Sequence, residues 1–399
     1  MKKVLLLGMG KSNKSAYKVL KQNGYLVDCL VDDKYKEDGY EYIDIKNINL
    51  KEYVYIVRSP GINVFHPFYK LVERMENVIN EVELAYILSS KKGYYIGVTG
   101  SNGKTTSVKL LYEILSKKYK NVILAGNIGI PLCEYIEKIN EDSIIILEMS
   151  SYQLENLKTI KFNISCLLSL CPNHLDSVYS LSFYYKSKFN ITRNQNENDY
   201  FIFPFEYQKY LENGDVRCIN LDELNYIFET SLLGDFNNKN INAMYKISKL
   251  LDVDDYTIKT VIRDFKPLKY RIEFVTKLNN TIFINDSKST TVDSTVACYS
   301  SFKGKRLLIC GGKDKNIDFS ILNNINDICV YGEIKDKIIG YKANRLIDLY
   351  DYIKNNYKKY EYIIFSPATS SFDQYASYVE RAEEFNSMIM RLVDEENKT

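Results

Sequence analysis

The segment Thr99-Gly100-Ser101-Asn102-Gly103-Lys104-Thr105-Thr106 holds the residue types needed to grip a polyphosphate. Its glycines let backbone N–H groups approach phosphate oxygens, and a helix starting there adds positive potential. Lys104 can reach the β- and γ-phosphates, while the Thr105 hydroxyl can ligate Mg²⁺. The spacing is T-G-x-x-G-K-T, with Val98 where the usual loop has its first glycine. A helix cap alone needs neither the lysine nor the threonines, so this segment predicts ATP or GTP binding.

Other residues could serve the same chemistry. The apolar run Ile144 to Leu147 ends in Glu148, where a phosphate-loop sheet carries its Mg²⁺-side acid. The bland reading is a surface carboxylate at a strand end. Ser150 to Glu155 is polar and aromatic, typical of a binding turn. In Asn173-His174-Leu175-Asp176, one of only two histidines stands beside a carboxylate. That is a metal or phosphate ligand, or equally a helix-capping turn. By itself Lys188 reads as a solvated helical lysine, and His66, next to Pro67, reads as structural. Near the start, Gly8-Met9-Gly10-Lys11-Ser12-Asn13 is a weak dinucleotide-type turn, and the next strand ends at Asp32-Asp33-Lys34. An acid there suits a ribose. NAD and a nucleotide-linked substrate fit it equally.

These residues need a scaffold. Strand-like runs occur at Val4 to Leu7, Val27 to Val31, Val54 to Val57, Tyr94 to Val98, Val122 to Ala125, Ile144 to Leu147 and Ile164 to Leu168. They resume at Thr281 to Ile284, Arg306 to Ile309, Ile328 to Tyr331 and Tyr362 to Phe365. Helical periods lie between them; Val108, Leu111, Tyr112 and Leu115 share one face after the phosphate loop. Such alternation predicts parallel α/β sheets. At roughly 150 residues per domain, 399 residues suit the three clusters that appear, at 1–90, 91–268 and 269–399.

Composition narrows the classes. Lys plus Arg number 53 against 51 Asp plus Glu, a net +2 that makes no global case for nucleic acid or an anionic membrane. Eight cysteines form no CxxC pair and there are two histidines, which argues against zinc sites. Contexts such as Ile309-Cys310 read as reduced core thiols of a cytoplasmic protein. No apolar stretch approaches the ~18 residues of a membrane span. The opening Lys2 to Leu7 imitates a signal peptide, but Gly8, Gly10 and Lys11 end its apolar run early. The 35 tyrosines carry no functional reading.

Taken together, these residues resemble the ATP-dependent Mur ligases of peptidoglycan synthesis. The shared marks are Thr99 to Thr105, Glu148 to Gln153, His174 to Asp176, Lys188, Arg271 and Asp286-Ser287. The likeness runs through nearly the whole chain. Asn285 to Thr290, Gly311 to Lys315, Ser366 to Tyr375, Ser59 to Ile62 and Gly126 to Gly129 resemble the D-glutamate-adding branch. No Asp-Asn-Pro-Arg motif of the diamino-acid-adding branch is present. Three positions depart from the pattern: Phe236 replaces a histidine in Gly234 to Asn240, Thr291 replaces an asparagine, and Asn13 replaces a glycine.

The resemblance implies an α/β fold of three domains: N-terminal Rossmann-like, central P-loop ATPase-type sheet and C-terminal Rossmann-like. It implies a cytoplasmic monomer that joins D-glutamate to UDP-N-acetylmuramoyl-L-alanine through an acyl phosphate. ATP would lie on Gly100, Ser101, Asn102, Gly103, Lys104, Thr105 and Thr106, with Asn237, Asn240, Arg271 and Asp286. Lys104, His174, Lys188 and Arg271 would be catalytic. Two Mg²⁺ sites would use Thr105, Glu148, His174 and an N-carbamoylated Lys188. Ser12, Asp32, Lys34, Asn127 and Gln153 would hold the uridine-linked substrate, and Thr290, Lys315, Ser371 and Phe372 the D-glutamate. The rivals are a folylpolyglutamate-synthase-like ligase, which leaves the N-terminal nucleotide-type domain unexplained, and an inactive nucleotide-binding regulator, to which only Phe236 gives a foothold.

Overall fold

The computed structural model describes residues 2–171 and 180–398, and its strands form three separate sheets. The first contains β1 (Lys3–Leu7), β2 (Leu26–Leu30), β3 (Tyr53–Arg58) and β4 (Val78–Ile79), with helices α1 (Lys11–Gln22), α2 (Pro67–Val72) and α3 (Glu81–Leu88). Its order is β2-β1-β3-β4, all parallel. The central part runs β5 (Tyr94–Thr99), α4 (Lys104–Lys118), β6 (Val122–Gly126), β7 (Ile144–Glu148), α5 (Ser151–Glu155), β8 (Ile164–Leu167), α6 (Leu181–Phe189), β9 (Tyr200–Phe203) and β10 (Arg217–Asn220). Its six strands are also parallel, in the order β10-β9-β8-β5-β7-β6.

Two helices follow, α7 (Asp235–Leu250) and α8 (Asp255–Asp264). The last sheet takes β11 (Glu273–Leu278), β12 (Thr281–Asn285), β13 (Arg306–Gly311), β14 (Ile328–Tyr331), β15 (Tyr341–Ala343) and β16 (Tyr362–Phe365), with α9 (Val292–Ser300), α10 (Tyr350–Asn356) and α11 (Tyr378–Glu396). Its order is β11-β12-β16-β13-β14-β15, parallel except for the β11–β12 hairpin. By contacts the chain forms two compact units, Met1–Tyr226 with Lys239–Val261, and Ile227–Asn238 with Ile262–Thr399. The first two sheets share a unit.

Buried parallel strands read as continuous apolar runs because both faces are covered. The five residues of β7 are all buried, as are five of six in β5. Gly97 in β5 is a packing requirement: a Cβ there would lie 2.8 Å from the Phe162 ring. Six of the eight cysteines are buried free thiols, but Cys218, on strand β10, is exposed. That corrects the uniform core reading. No helix is long and apolar enough to cross a membrane among the described residues.

One buried acid sets a stability test. Glu81 at the start of α3 accepts a hydrogen bond from the Cys133 N–H at 2.6 Å through Oε1, while Oε2 is buried without a partner. Burial raises its carboxyl from 4.5 to about 7. The folded state therefore holds this proton more tightly than the unfolded chain, and stability falls as pH rises from about 4.5 to about 7. Glu81→Gln keeps an acceptor for Cys133 and removes the charge. It should stabilise the protein at pH 8 by about 2–3 kcal/mol and hardly at all near pH 4. Thermal melts at both pH values check this; equal gains at both would refute it.

Candidate active site

The phosphate loop sits between β5 and α4, at the C-terminal end of the central sheet. Gly103 is the N-cap of α4 with φ +83°, and a Cβ on it would lie 2.6 Å from the Asn240 amide. Asn240 thus lies directly over the loop. Ser101 Oγ donates to the Cys171 carbonyl at 3.0 Å, and the Asn102 N–H reaches Ser169 Oγ at 3.2 Å. Thr105 and Thr106 follow in the first turn of α4, both part-buried.

Two lysine amines converge on one loop carbonyl. Lys104 Nζ donates to the Gly100 oxygen at 2.7 Å, and Lys188 Nζ donates to the same oxygen at 3.1 Å. Lys188 is 2% exposed, so the expectation of a solvated helical lysine is overturned. Burial pushes its pKa well below the ordinary lysine value, and the Lys104 charge adds to the shift. A buried cation facing another cation favours the neutral amine. The Tyr184 ring centroid lies 4.6 Å from Lys188 Nζ, and its hydroxyl is 3.3 Å from Ser101 Oγ. Sequence reading missed Tyr184, although its i, i+4 spacing to Lys188 places both on one helix face.

Glu148, at the end of β7, is buried. Its Oε1 accepts from Asn127 Nδ2 at 2.9 Å, while Oε2 has no partner. An unpartnered carboxylate oxygen and the Thr105 hydroxyl are the hard oxygen donors that suit Mg²⁺. Among the described residues no group of three His, Cys, Asp or Glu forms a metal cluster, and His174 lies outside those residues. Gln153 also has a structural task. With Ser150 it forms the capping box of α5, its Oε1 accepting from the Ser150 N–H at 3.0 Å.

The N-terminal turn opens on a cavity of about 630 Å³ at the C-terminal ends of β1, β2 and β3. Asp32, Lys34, Ser59 and His66 are among its walls; Ser12, in the first turn of α1, is not. Asn13 is completely buried, and its amide donates to the carbonyls of Leu7, Gly8 and Val57. The side chain in the glycine position thus staples two strand ends. His66 caps α2, Nδ1 accepting from the Phe68 N–H at 3.2 Å.

In the other unit, Arg271 stands between two residues in the left-handed region, Tyr270 (φ +62°) and Ile272 (φ +49°). Such strain persists only where neighbours over-determine the backbone. Here Glu273 Oε2 accepts from the Tyr270 N–H at 2.9 Å, and Asp286 Oδ1 accepts from the Ile272 N–H at 3.2 Å. Asp286 also accepts from Ser366 Oγ, and burial raises its carboxyl to about 6. Its carboxylate thus helps to shape the Arg271 segment. Lys315 Nζ donates to the Thr290 carbonyl at 3.2 Å, joining two of the expected D-glutamate residues. Ser371 is buried, whereas Phe372 is 71% exposed. Asn237 donates to the Leu233 carbonyl at 2.7 Å, and Phe236 packs against the apolar core of the last sheet.

A family model of the Mur ligase middle domain matches residues 98–213. The chain is 31% identical to a UDP-N-acetylmuramoylalanine--D-glutamate ligase of Fusobacterium nucleatum, over 98% of this chain and 100% of that one. It is 34% identical to the ligase of the same name from Aquifex aeolicus, over 97% of this chain and 98% of that one. The fold is similar to MurF ligase from Thermotoga maritima in complex with ADP, with TM-score 0.60, 16% identity, 92% of this chain and 98% of that chain covered. It is also similar to UDP-N-acetylmuramate-alanine ligase MurC from Thermotoga maritima, with TM-score 0.56, 14% identity, 98% and 100% covered. Likeness at D-glutamate-ligase level over the full length, on a Mur-type fold with an intact phosphate loop, leaves one assignment: the chain belongs to the Mur ligase family.

Proposed function

We propose that the chain joins D-glutamate to UDP-N-acetylmuramoyl-L-alanine at the expense of ATP, as a cytoplasmic monomer acting in peptidoglycan precursor synthesis. The observation that carries this reading is the convergence of Lys104 and the buried Lys188 on the Gly100 carbonyl, with Glu148 and its open carboxylate oxygen at the end of the strand paired with β5. The full-length likeness to D-glutamate ligases, N-terminal sheet included, favours it over a folylpolyglutamate-synthase-like ligase. We keep 1–90, 91–268 and 269–399 as its substrate, ATP and amino-acid domains.

In this reading the substrate L-alanine carboxylate attacks the γ-phosphorus of ATP, ADP leaves, and an acyl phosphate forms. The D-glutamate amine then adds to the acyl carbon, loses a proton, and inorganic phosphate departs. Lys104 and Arg271 offset the charge of the moving phosphoryl group. Thr105, Glu148, His174 and Lys188 would hold Mg²⁺, which when bound neutralises phosphate oxygens. Lys188 can join an anionic ligand set only after its charge changes. Its neutral amine attacks CO₂, an N–C bond forms, one C=O π pair moves to oxygen, and the amine proton passes to solvent, leaving a carbamate. Asn237 and Asn240 would contact the adenine of the nucleotide. Asp32, Lys34 and Ser12 serve the uridine nucleotide, and Asn127 and Gln153 contact the muramoyl part. Thr290, Lys315, Ser371 and Phe372 serve D-glutamate.

The test is phosphate release with ATP, Mg²⁺ and UDP-N-acetylmuramoyl-L-alanine. D-glutamate should be required, while L-glutamate and meso-diaminopimelate support little turnover. A mispaired second carboxylate left unsatisfied costs ~1–3 kcal/mol or more. Comparable rates with L- and D-glutamate, or release that ignores both, would defeat the reading.

A further inference from the structure

The expected D-glutamate residues lie on three separate segments of the last unit: Thr290 after β12, Lys315 after β13, and Ser371 with Phe372 after β16. Loops converging from different strands need a common anchor, because each is otherwise free to shift by the fraction of an ångström that ruins a polar site. One side chain meets all three. Arg381, in the first turns of α11, is completely buried. Its Nε donates to Ser287 Oγ at 3.2 Å, and Nη2 donates to the Ser287 carbonyl at 2.9 Å. Nη1 donates to the Thr369 carbonyl at 3.0 Å and to the Gly311 carbonyl at 3.4 Å. Ser287, Gly311 and Thr369 lie a few residues before Thr290, Lys315 and Ser371 on the same segments.

We propose that Arg381 is the positioning residue of the amino-acid pocket, its guanidinium tying the three substrate-bearing segments into one register without touching substrate. This rests on the D-glutamate reading above. All four hydrogen bonds go to neutral oxygens. The Asp373 carboxylate, whose charge also acts on the guanidinium, makes no direct ion pair with it, so direct ion pairing does not explain the burial of this cation. Geometry does: a planar fork with five fixed donors can serve three directions at once, and a lysine ammonium on a flexible stem cannot. Close approach is built in as well, since a Cβ on Gly312 would lie 3.0 Å from Nη1.

The experiment compares Arg381→Lys and Arg381→Met with the unaltered enzyme, reading separate KM values for D-glutamate, ATP and the uridine-linked substrate. Amide hydrogen exchange over 286–291, 311–315 and 366–375 is followed in parallel. Arg381→Lys should raise the D-glutamate KM about ten-fold or more while the other two stay within about two-fold, and Arg381→Met should exceed it. Exchange should quicken in all three segments together. If the methionine variant does not fold, the lysine variant carries the test. Unchanged exchange, or KM values that rise together with a general loss of thermal stability, would overturn the proposal. Absence of D-glutamate-dependent release in the unaltered enzyme would instead sink the substrate reading, and the exchange result would still judge the anchor.

Discussion

Lys188→Ala should slow D-glutamate-dependent phosphate release by about 10²–10³-fold, the usual cost of losing one electrostatic stabiliser beside a developing charge. A surface lysine would give almost no effect. Lys188 is buried and its amine is driven toward the neutral form, first by burial and then by Lys104. That is the state able to take up CO₂. Formate or acetate, added to Lys188→Ala, should restore part of the rate by filling the vacated anionic position. Lys188→Arg should not recover with either anion, because the guanidinium stays cationic and occupies the space. Near-normal activity of Lys188→Ala would remove the residue from the reaction.

Glu148→Gln should also lower the rate by about 10²–10³-fold, and it should shift the Mg²⁺ concentration needed for half-maximal activity upward. The substitution is close to isosteric. Asn127 can still donate to the remaining oxygen, as it does to Oε1 at 2.9 Å. The atom replaced, Oε2, has no protein partner, so folding loses no hydrogen bond. The melting temperature without Mg²⁺ should therefore change little while activity collapses. An unchanged Mg²⁺ midpoint would mean that Glu148 acts through packing alone.

Local chemistry was the part legible from residues. The phosphate loop is one continuous strand–turn–helix, and its glycines, lysine and threonines declare their tasks within eight residues. The strands read most easily, such as β5 and β7, are buried on both faces and so appear as unbroken apolar runs. Strand β11 escaped for the opposite reason. It is mostly part-exposed, and it pairs antiparallel with β12 across a turn whose Asn279 has φ +52°. Polar β10, with two exposed residues, was missed likewise.

By itself the sequence determined the family, the phosphate loop and the acid at the end of β7, because each is written in contiguous residues. Only the tertiary structure decided which side chains those segments meet. Phe183, Tyr184, Tyr185 and Phe189 surround Lys188 on α6, so no single apolar face announces which way the lysine points. Its burial comes from a contact with Gly100, 88 residues away. Gln153, expected at the uridine-linked substrate, also caps a helix, while Asn13 in a glycine's place became a strand staple. Arg381 carried no motif, yet it reaches three loops at once. Periodicity reports only which face of an element is apolar; the partners of a buried polar group are set by distant segments that must satisfy it when water is excluded.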